Sequence, residues 1–401
     1  MKILVLSPKP PWPSHDGGAV ATMRCIQGLA EAGAEVSLLA MRTWKHGQPR
    51  ESGQFTPACL KHITTVDVNT RIRPFKMLAN LLFSGEPYDL VRFRSSRYSE
   101  ALRSLNPEGY DIIQCEGLPF VLYLDEIKRL TSSPVVLRAH NTEYRIREMM
   151  AENSGCMVYR AYMKNLARRL QKTEKDAARL FDAVVPISEP DSRWFSAVSG
   201  GNPVHLSETG TYVAEPLAEP DGSSPRVGFI GALDWQPNLE GLKWFLKHVW
   251  PDVSRAVPSA TMHIAGRGAS ANARRRLKGE KVSFEGEVHD ARTFMASMNV
   301  IIAPLFAGSG LRIKIIEAMS TGRTVVATPV AVRGLPAVDR RHLFIAADPQ
   351  SFCSALTEVL KDHSLRASTV EAAATLVRDR YDNRALTAGL LEFYKELIHG
   401  R

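Results

Sequence analysis

"MNVIIAPLFAGSGLRIKIIEAMSTGRTVVATP", residues 298–329, contains two apolar runs separated by a glycine-rich break and a helical period. The runs "MNVIIAP" and "RTVVATP" are short, rich in Val and Ile, and do not alternate with polar residues. Strands of that kind are buried on both faces, as in parallel sheets covered by helices. Between them, Ile313, Ile315, Ile316, Ala318 and Met319 fill a wide apolar arc of a helical wheel. Lys314, Glu317 and Thr321 share the narrow polar strip that remains, because positions three and four apart lie on one helix face. A helix that apolar is mostly buried, so its polar strip is expected to line something other than bulk water.

The same alternation extends outward. Upstream lie "KILVL", "AEVSLLA", "DIIQC", "PVVLRA" and "DAVVPI", with helical stretches such as "GGAVATMRCIQGLAEAG" and "LPFVLYLDEIKRL" among them. The series pauses at 207–226, "SETGTYVAEPLAEPDGSSPR", which is rich in Pro, Gly, Ser and Glu and has no period. It restarts with "RVGFIGA", "ATMHIAG" and "KVSFEG". At 401 residues the chain exceeds the size of a single core. The expectation is an α/β protein of two Rossmann-like domains, 1–206 and 227–382, whose parallel sheets face each other across a cleft, joined by a linker at 207–226. The amphipathic segment 383–401 is expected to form a helix that packs back toward the N-terminal domain.

Hydrophobic residues make up 44% and charged residues 23% of the chain, ordinary values for a globular protein. No apolar run has the length of a membrane span, and the N-terminus reads as a strand at 2–6 rather than a signal peptide. Cys25, Cys59, Cys115, Cys156 and Cys353 form no metal-ligand or redox spacing, and a cytoplasmic location is expected. The net charge of +9 calls for an anionic partner or a solvated basic face. No nucleic-acid-binding pattern accompanies it. Two stretches join cations to apolar residues: "RIRPFKMLANLLFSG" (71–85), and "YRAYMKNLARRLQKTEK" (159–175), which reads as a basic amphipathic helix. Each suits either peripheral attachment to anionic lipid or a solvated face.

Ligands of open α/β sheets bind beyond the carboxyl ends of the strands, so the residues after each strand carry the chemistry. The first strand is followed by a Pro-rich loop ending in Asp16-Gly17-Gly18 at a helix start. There the free N–H groups suit an anion or sugar hydroxyls. "PVVLRA" is followed by His140-Asn141-Thr142-Glu143, in which His140 could orient a sugar hydroxyl or handle a proton, or be structural. Gly231 follows "RVGFI", and Gly266-Arg267-Gly268 follows "ATMHIA". Gly308, Ser309, Gly310 and Leu311 can cradle a diphosphate with their N–H groups, with Arg312 and Lys314 neutralising its charge. Glu317 is placed to accept from ribose hydroxyls; the competing reading is a surface Lys314–Glu317 salt bridge. The stretch lacks the Gly-Lys-Ser/Thr ending of a Walker A loop, and no Gly-x-Gly-x-x-Gly follows the first strand. Clustered Asp residues that would hold Mg²⁺ are absent, so neither metal nor cofactor is expected.

These segments together resemble the GT-B glycosyltransferases, and within them the large retaining group of glycosyl transferases group 1, often called family four. That group serves bacterial cell-wall, lipopolysaccharide and exopolysaccharide biosynthesis. The resemblance rests on the Gly17-Gly18 loop, "RAHNTEYR", "FIGALDWQPNLEGLKWF", "HIAGRG", "VSFEGEVHD" and above all "GSGLRIKIIEAMSTGRTVVAT". It implies a nucleotide-sugar donor on the C-terminal domain, a saccharide or lipid-linked acceptor on the N-terminal one, and metal-free transfer with retention. With the two basic stretches, the expectation is work in the cytoplasm at the inner face of the plasma membrane. By the same resemblance Glu317 binds the ribose, Arg312 and Lys314 the diphosphate, and His140 lies by the transferred sugar. Gly17 and Gly18 close over the donor, Gly231 belongs to the donor site, and Arg267 and Val288 lie near the base.

Two departures stand out. Ser309 occupies the position, eight before Glu317, where the family often has a second glutamate that touches the sugar. Asp234-Trp235-Gln236-Pro237-Asn238 replaces the family's phosphate-binding Arg/Lys pair. A sugar-nucleotide epimerase on the same fold and a non-catalytic nucleotide-sugar-binding subunit are the competing readings. The first would convert donor without acceptor; the second would bind donor without turnover.

Overall fold

The structure is a computed structural model that describes residues 1–12, 16–44, 57–152, 154–213, 217–220, 224–307 and 312–400. The chain divides into two compact units: Met1–Thr209 with Asn383–Arg401, and Gly210–Asp382.

The N-terminal unit is built on β1 (Lys2–Ser7), β2 (Glu35–Thr43), β3 (His62–Val68), β4 (Ile112–Glu116), β5 (Val135–Ala139) and β6 (Ala183–Pro186). They form one parallel sheet in the order β3-β2-β1-β4-β5-β6. The C-terminal unit is built on β7 (Arg226–Ile230), β8 (Thr261–Ala265), β9 (Val282–Gly286), β10 (Val300–Ala303), β11 (Thr324–Ala327) and β12 (Phe344–Ile345). Their order, β12-β11-β10-β7-β8-β9, repeats that of the first sheet when each unit is counted from its own first strand. Strand order reverses beside β1 and beside β7, and doubly wound sheets bind ligands at the carboxyl ends flanking that reversal.

Burial explains the unalternating strands. Ile3 and Val5 enter the core on one face of the first sheet, while Leu4 and Leu6 enter the core on the other. Such a side chain contributes roughly 1.5–3 kcal/mol when fully buried, so a register slip would not expose apolar residues but would mispack both layers. The helix Asn383–His399 belongs to the N-terminal unit, where Leu390, Leu391 and Tyr394 complete the core that holds Ile3 and Val5. It lies so close to the helix Gly17–Glu31 that a Cβ on Gly28 would collide with Thr387.

Several segments differ from the sequence expectation. The edge strands β3 and β12 carry no recognisable apolar run. Residues 118–130 begin as a 3₁₀ turn, Leu118–Tyr123, and become α-helical only over Leu124–Leu130. The stretch 207–226 is not a free linker where it is described. Thr211 bridges to Asp382, and Arg323 donates to the carbonyls of Leu217 and Ala218 at 2.8 and 2.7 Å. Glu219 accepts from Arg366 at 2.8 and 2.9 Å. Its composition excludes regular structure, not contact.

Candidate functional site

In the N-terminal unit, polar groups gather at the carboxyl ends of β1, β4 and β5. Asp16 caps the helix Gly17–Glu31 by accepting from the Ala19 N–H at 2.9 Å, and Lys9 Nζ lies 2.5 Å from the same carboxylate oxygen. Gly18 packs against this pair and against the imidazole: a Cβ there would stand 3.2 Å from Lys9 Nζ and 3.4 Å from His140 Nδ1. Gly17 starts the same helix, with nothing within 4 Å of the space a Cβ would take. The structure thus brings Gly17, Gly18 and His140 together, and adds Lys9.

Beneath His140 is a buried network. Glu116, the last residue of β4, places Oε2 2.5 Å from His140 Nε2, 3.1 Å from Arg138 Nη1 and 2.9 Å from Thr22 Oγ1. Gln114 donates to its other oxygen and accepts from the Tyr394 hydroxyl at 2.7 Å, tying the C-terminal helix into the network. Burial pushes the Glu116 carboxyl up, but the Arg138 charge and the hydrogen bonds from His140 and Gln114 outweigh it and hold it at about 2. An ionised Glu116 accepts, so His140 Nε2 carries a proton. Nδ1 points toward Gly18, and in the neutral imidazole it is an acceptor suited to a sugar hydroxyl.

The residues after His140 serve the fold more than a ligand. Thr142 is buried and donates to Asp191, and Glu174 accepts from the N–H groups of Glu143 and Tyr144 at 2.6 and 3.2 Å. Burial raises Glu174 to about 8 even though those N–H groups favour its ionised form.

In the C-terminal unit, the exits of β7 and β8 are pressed together. Gly231 N–H donates to Ala265 O at 3.1 Å, and Leu233 N–H to Arg267 O at 2.8 Å. A Cβ on Gly266 would overlap the Gly231 carbonyl, so only glycine fits there. Gly231 and Arg267 are therefore neighbours. Val288, after β9, packs half-buried on the core around Ala265 and Met295.

After β10 the helix Ile313–Ser320 begins at Arg312. The Arg312 guanidinium lies over the Trp235 ring, 5.7 Å from its centroid, and burial lowers its pKa. Trp235 belongs to the segment that replaces the family's basic pair, and through it the exits of β7 and β10 meet. Lys314 Nζ lies 3.0 Å from Glu317 Oε2, with the two side chains 43% and 15% exposed, so the pair can open toward a ligand without unfolding anything. Thr321 does not line the strip: it is buried and donates to the Glu317 carbonyl at 2.7 Å. Ser309, Gly310 and Leu311 lie outside the described residues. Among the described residues, no group of three or more His, Cys, Asp or Glu could hold a metal ion.

Lys9, Glu116 and Trp235 were not legible as site residues. The available signal for Glu116 was a carboxylate ending a fully buried strand, beside the equally polar Gln114.

Residues 224–362 match the family model described as glycosyl transferases group 1. That stretch makes up most of the C-terminal unit, and the two six-stranded parallel sheets give the chain the GT-B fold. Among curated proteins it is 22% identical over 98% of its length to an uncharacterized 44.6 kDa protein in the cps region of Klebsiella pneumoniae, covering 99% of that protein. It is 29% identical over 53% of its length to the phosphatidyl-myo-inositol mannosyltransferase of Mycobacterium leprae, spanning 58% of that enzyme. Among solved structures, sucrose-phosphate synthase from Thermosynechococcus elongatus superposes with a TM-score of 0.73 over 100% of both chains at 16% identity. HepE from Anabaena, in complex with UDP-glucose, gives 0.66 at 16% identity over 99% of this chain and 100% of its own.

Proposed function

We propose that the chain is a retaining, metal-independent glycosyltransferase that moves a sugar from a nucleotide-sugar donor to a saccharide or lipid-linked acceptor in cell-surface polysaccharide biosynthesis. The relative from a cps region and the mannosyltransferase relative support that setting, and the neighbour holding UDP-glucose supports the donor class. The observation that carries the reading is Arg312, held on the face of Trp235 where the helix Ile313–Ser320 begins. A helix start with a fixed cation beside it suits a diphosphate.

In this reading Arg312 and Lys314 take the diphosphate, and Glu317 exchanges Lys314 for the ribose hydroxyls. Gly231, Arg267 and Val288 hold the nucleoside; Gly17, Gly18 and His140 serve the transferred sugar. The bond from the anomeric carbon to the diphosphate breaks, and the acceptor oxygen bonds to the same face of that carbon. The acceptor's hydroxyl proton passes to the departing diphosphate, whose growing charge Arg312 stabilises. No protein nucleophile, metal or cofactor is required, and the enzyme works in the cytoplasm at the inner face of the plasma membrane.

Thermal shift with UDP, GDP, ADP and their sugar conjugates, on wild type and Glu317→Ala, tests the site. Stabilisation by one nucleotide class, lost in the variant, is the expected result. A folded wild type that responds to none of them overturns the assignment. Turnover in excess EDTA, and an unchanged anomeric configuration by NMR, test metal independence and retention.

A further inference from the structure

The helix Pro74–Phe83 in the N-terminal unit has no buried residue, although most of its side chains are apolar. Phe75 is 90% and Phe83 87% exposed, and Ile72, Leu78 and Leu82 are exposed beside them. Surface helices normally turn such residues to the core, and a contiguous apolar patch marks an interaction site. What holds this helix is its backbone. Arg169 donates to the carbonyls of Asn80 and Leu81 at 3.1 and 2.7 Å, and the Tyr88 hydroxyl bridges the N–H and carbonyl of Arg73 at 3.0 and 3.2 Å.

Arg169 belongs to the helix Met157–Leu180, so the two basic stretches seen separately in the sequence meet on one surface. On that helix Arg160, Lys164, Arg168 and Lys172 are exposed and recur every fourth residue, which places them in one stripe. Met163, Leu166, Ala167 and Leu170 are buried on the other side. Arg71, Arg73 and Lys76 are exposed at the start of the shorter helix, and no acidic residue occurs in 71–85 or 157–173.

We propose that these two helices form one docking surface for an anionic phospholipid bilayer, with Phe75, Leu78, Leu82 and Phe83 entering the acyl boundary and the basic stripe lying on the headgroups. An apolar wedge flanked by a cationic stripe matches a layer that is negative at its surface and apolar beneath. A second copy of this chain is a poor occupant, since the same face would set like charges against each other. The surface is independent of the transferase reading, because lipid binding needs neither donor nor acceptor.

Flotation with vesicles tests it. The full chain is expected to float with vesicles of about 3:1 phosphatidylcholine–phosphatidylglycerol, less so as salt rises, and to stay behind with phosphatidylcholine alone. Phe75→Asp/Phe83→Asp and Lys164→Glu/Arg168→Glu should each lower the bound fraction by about tenfold or more. All four side chains are exposed, and unchanged melting temperatures would verify that the variants fold. Failure of the wild type to float, or flotation of both variants like wild type, overturns the proposal. So does a lipid-free wild-type dimer that Phe75→Asp/Phe83→Asp converts to monomer, which would assign the patch to a second copy.

Discussion

Glu116 ends β4, and Glu317 follows β10, the strand in the equivalent place of the second sheet. Both are carboxylates beside a basic residue, yet their settings differ in kind. The Glu116 side chain is 0% exposed and bonded to Arg138, His140, Thr22 and Gln114. Glu317 is partly open, and its Lys314 partner is more open still. A fully desolvated, fully bonded carboxylate holds its neighbours in one geometry, which is what an imidazole needs to present a single nitrogen. A half-open ion pair is worth little to stability and is readily exchanged for a ligand's charges. The N-terminal unit is thus built to position, and the C-terminal unit to exchange partners.

Removing Glu116 should produce the largest effect. Glu116→Ala strands the Arg138 guanidinium, 2% exposed, and should cost about 3–5 kcal/mol in urea unfolding, the range for breaking a buried pair. A cost below about 1 kcal/mol would break the contrast between the two carboxylates. Arg312→Ala comes next: it should raise the barrier to turnover by about 2.7–4 kcal/mol, a fall in kcat of roughly 10²–10³, with little change in melting temperature. Steady-state kinetics with the donor found by thermal shift would reveal it, and unaltered kcat would remove Arg312 from the chemistry.

A third test sharpens the contrast through pH. Glu174 titrates at about 8 in the folded chain, above an ordinary carboxylate, because burial penalises its charge. Its contribution is complete below the ordinary carboxylate range and is lost as pH rises toward about 8, because the unfolded chain releases that proton first. Stability should fall by about 1.4 kcal/mol per pH unit across that window, and Glu174→Gln should flatten the slope in denaturation series. The smallest effect belongs to Trp235→Ala, which removes a partly exposed cation–π contact worth about 0.5–1 kcal/mol. The donor KM should rise about two- to fivefold with kcat nearly unchanged.

Legibility followed burial and distance along the chain. β1, β4, β5, β10 and β11 were readable because both faces of each are covered, which leaves short runs rich in Val, Ile and Leu. β3 was not, because "HITTVDV" is half-buried at a sheet edge, and the two residues of β12 are too few to show a period. That Lys314 and Glu317 are neighbours was readable because they lie three residues apart, where helical spacing predicts which share a face. Thr321 shows the limit of that spacing argument: the position was right and the side chain turned to its own backbone.

Local periodicity and composition dictate the parallel α/β architecture, the doubled series of strands and the charged strip after β10, because these depend on neighbours in the chain. Folding alone decides that Glu116 reaches His140 and that Trp235 supports Arg312, because those partners come from separate strands and loops. Strand order makes β4 and β5 adjacent, and close glycine contacts set how near the strand exits lie. Whether a charge is buried and paired, as at Glu116, or left at the surface, as at Lys164, is likewise settled by which elements pack over it, and no spacing in the chain encodes that.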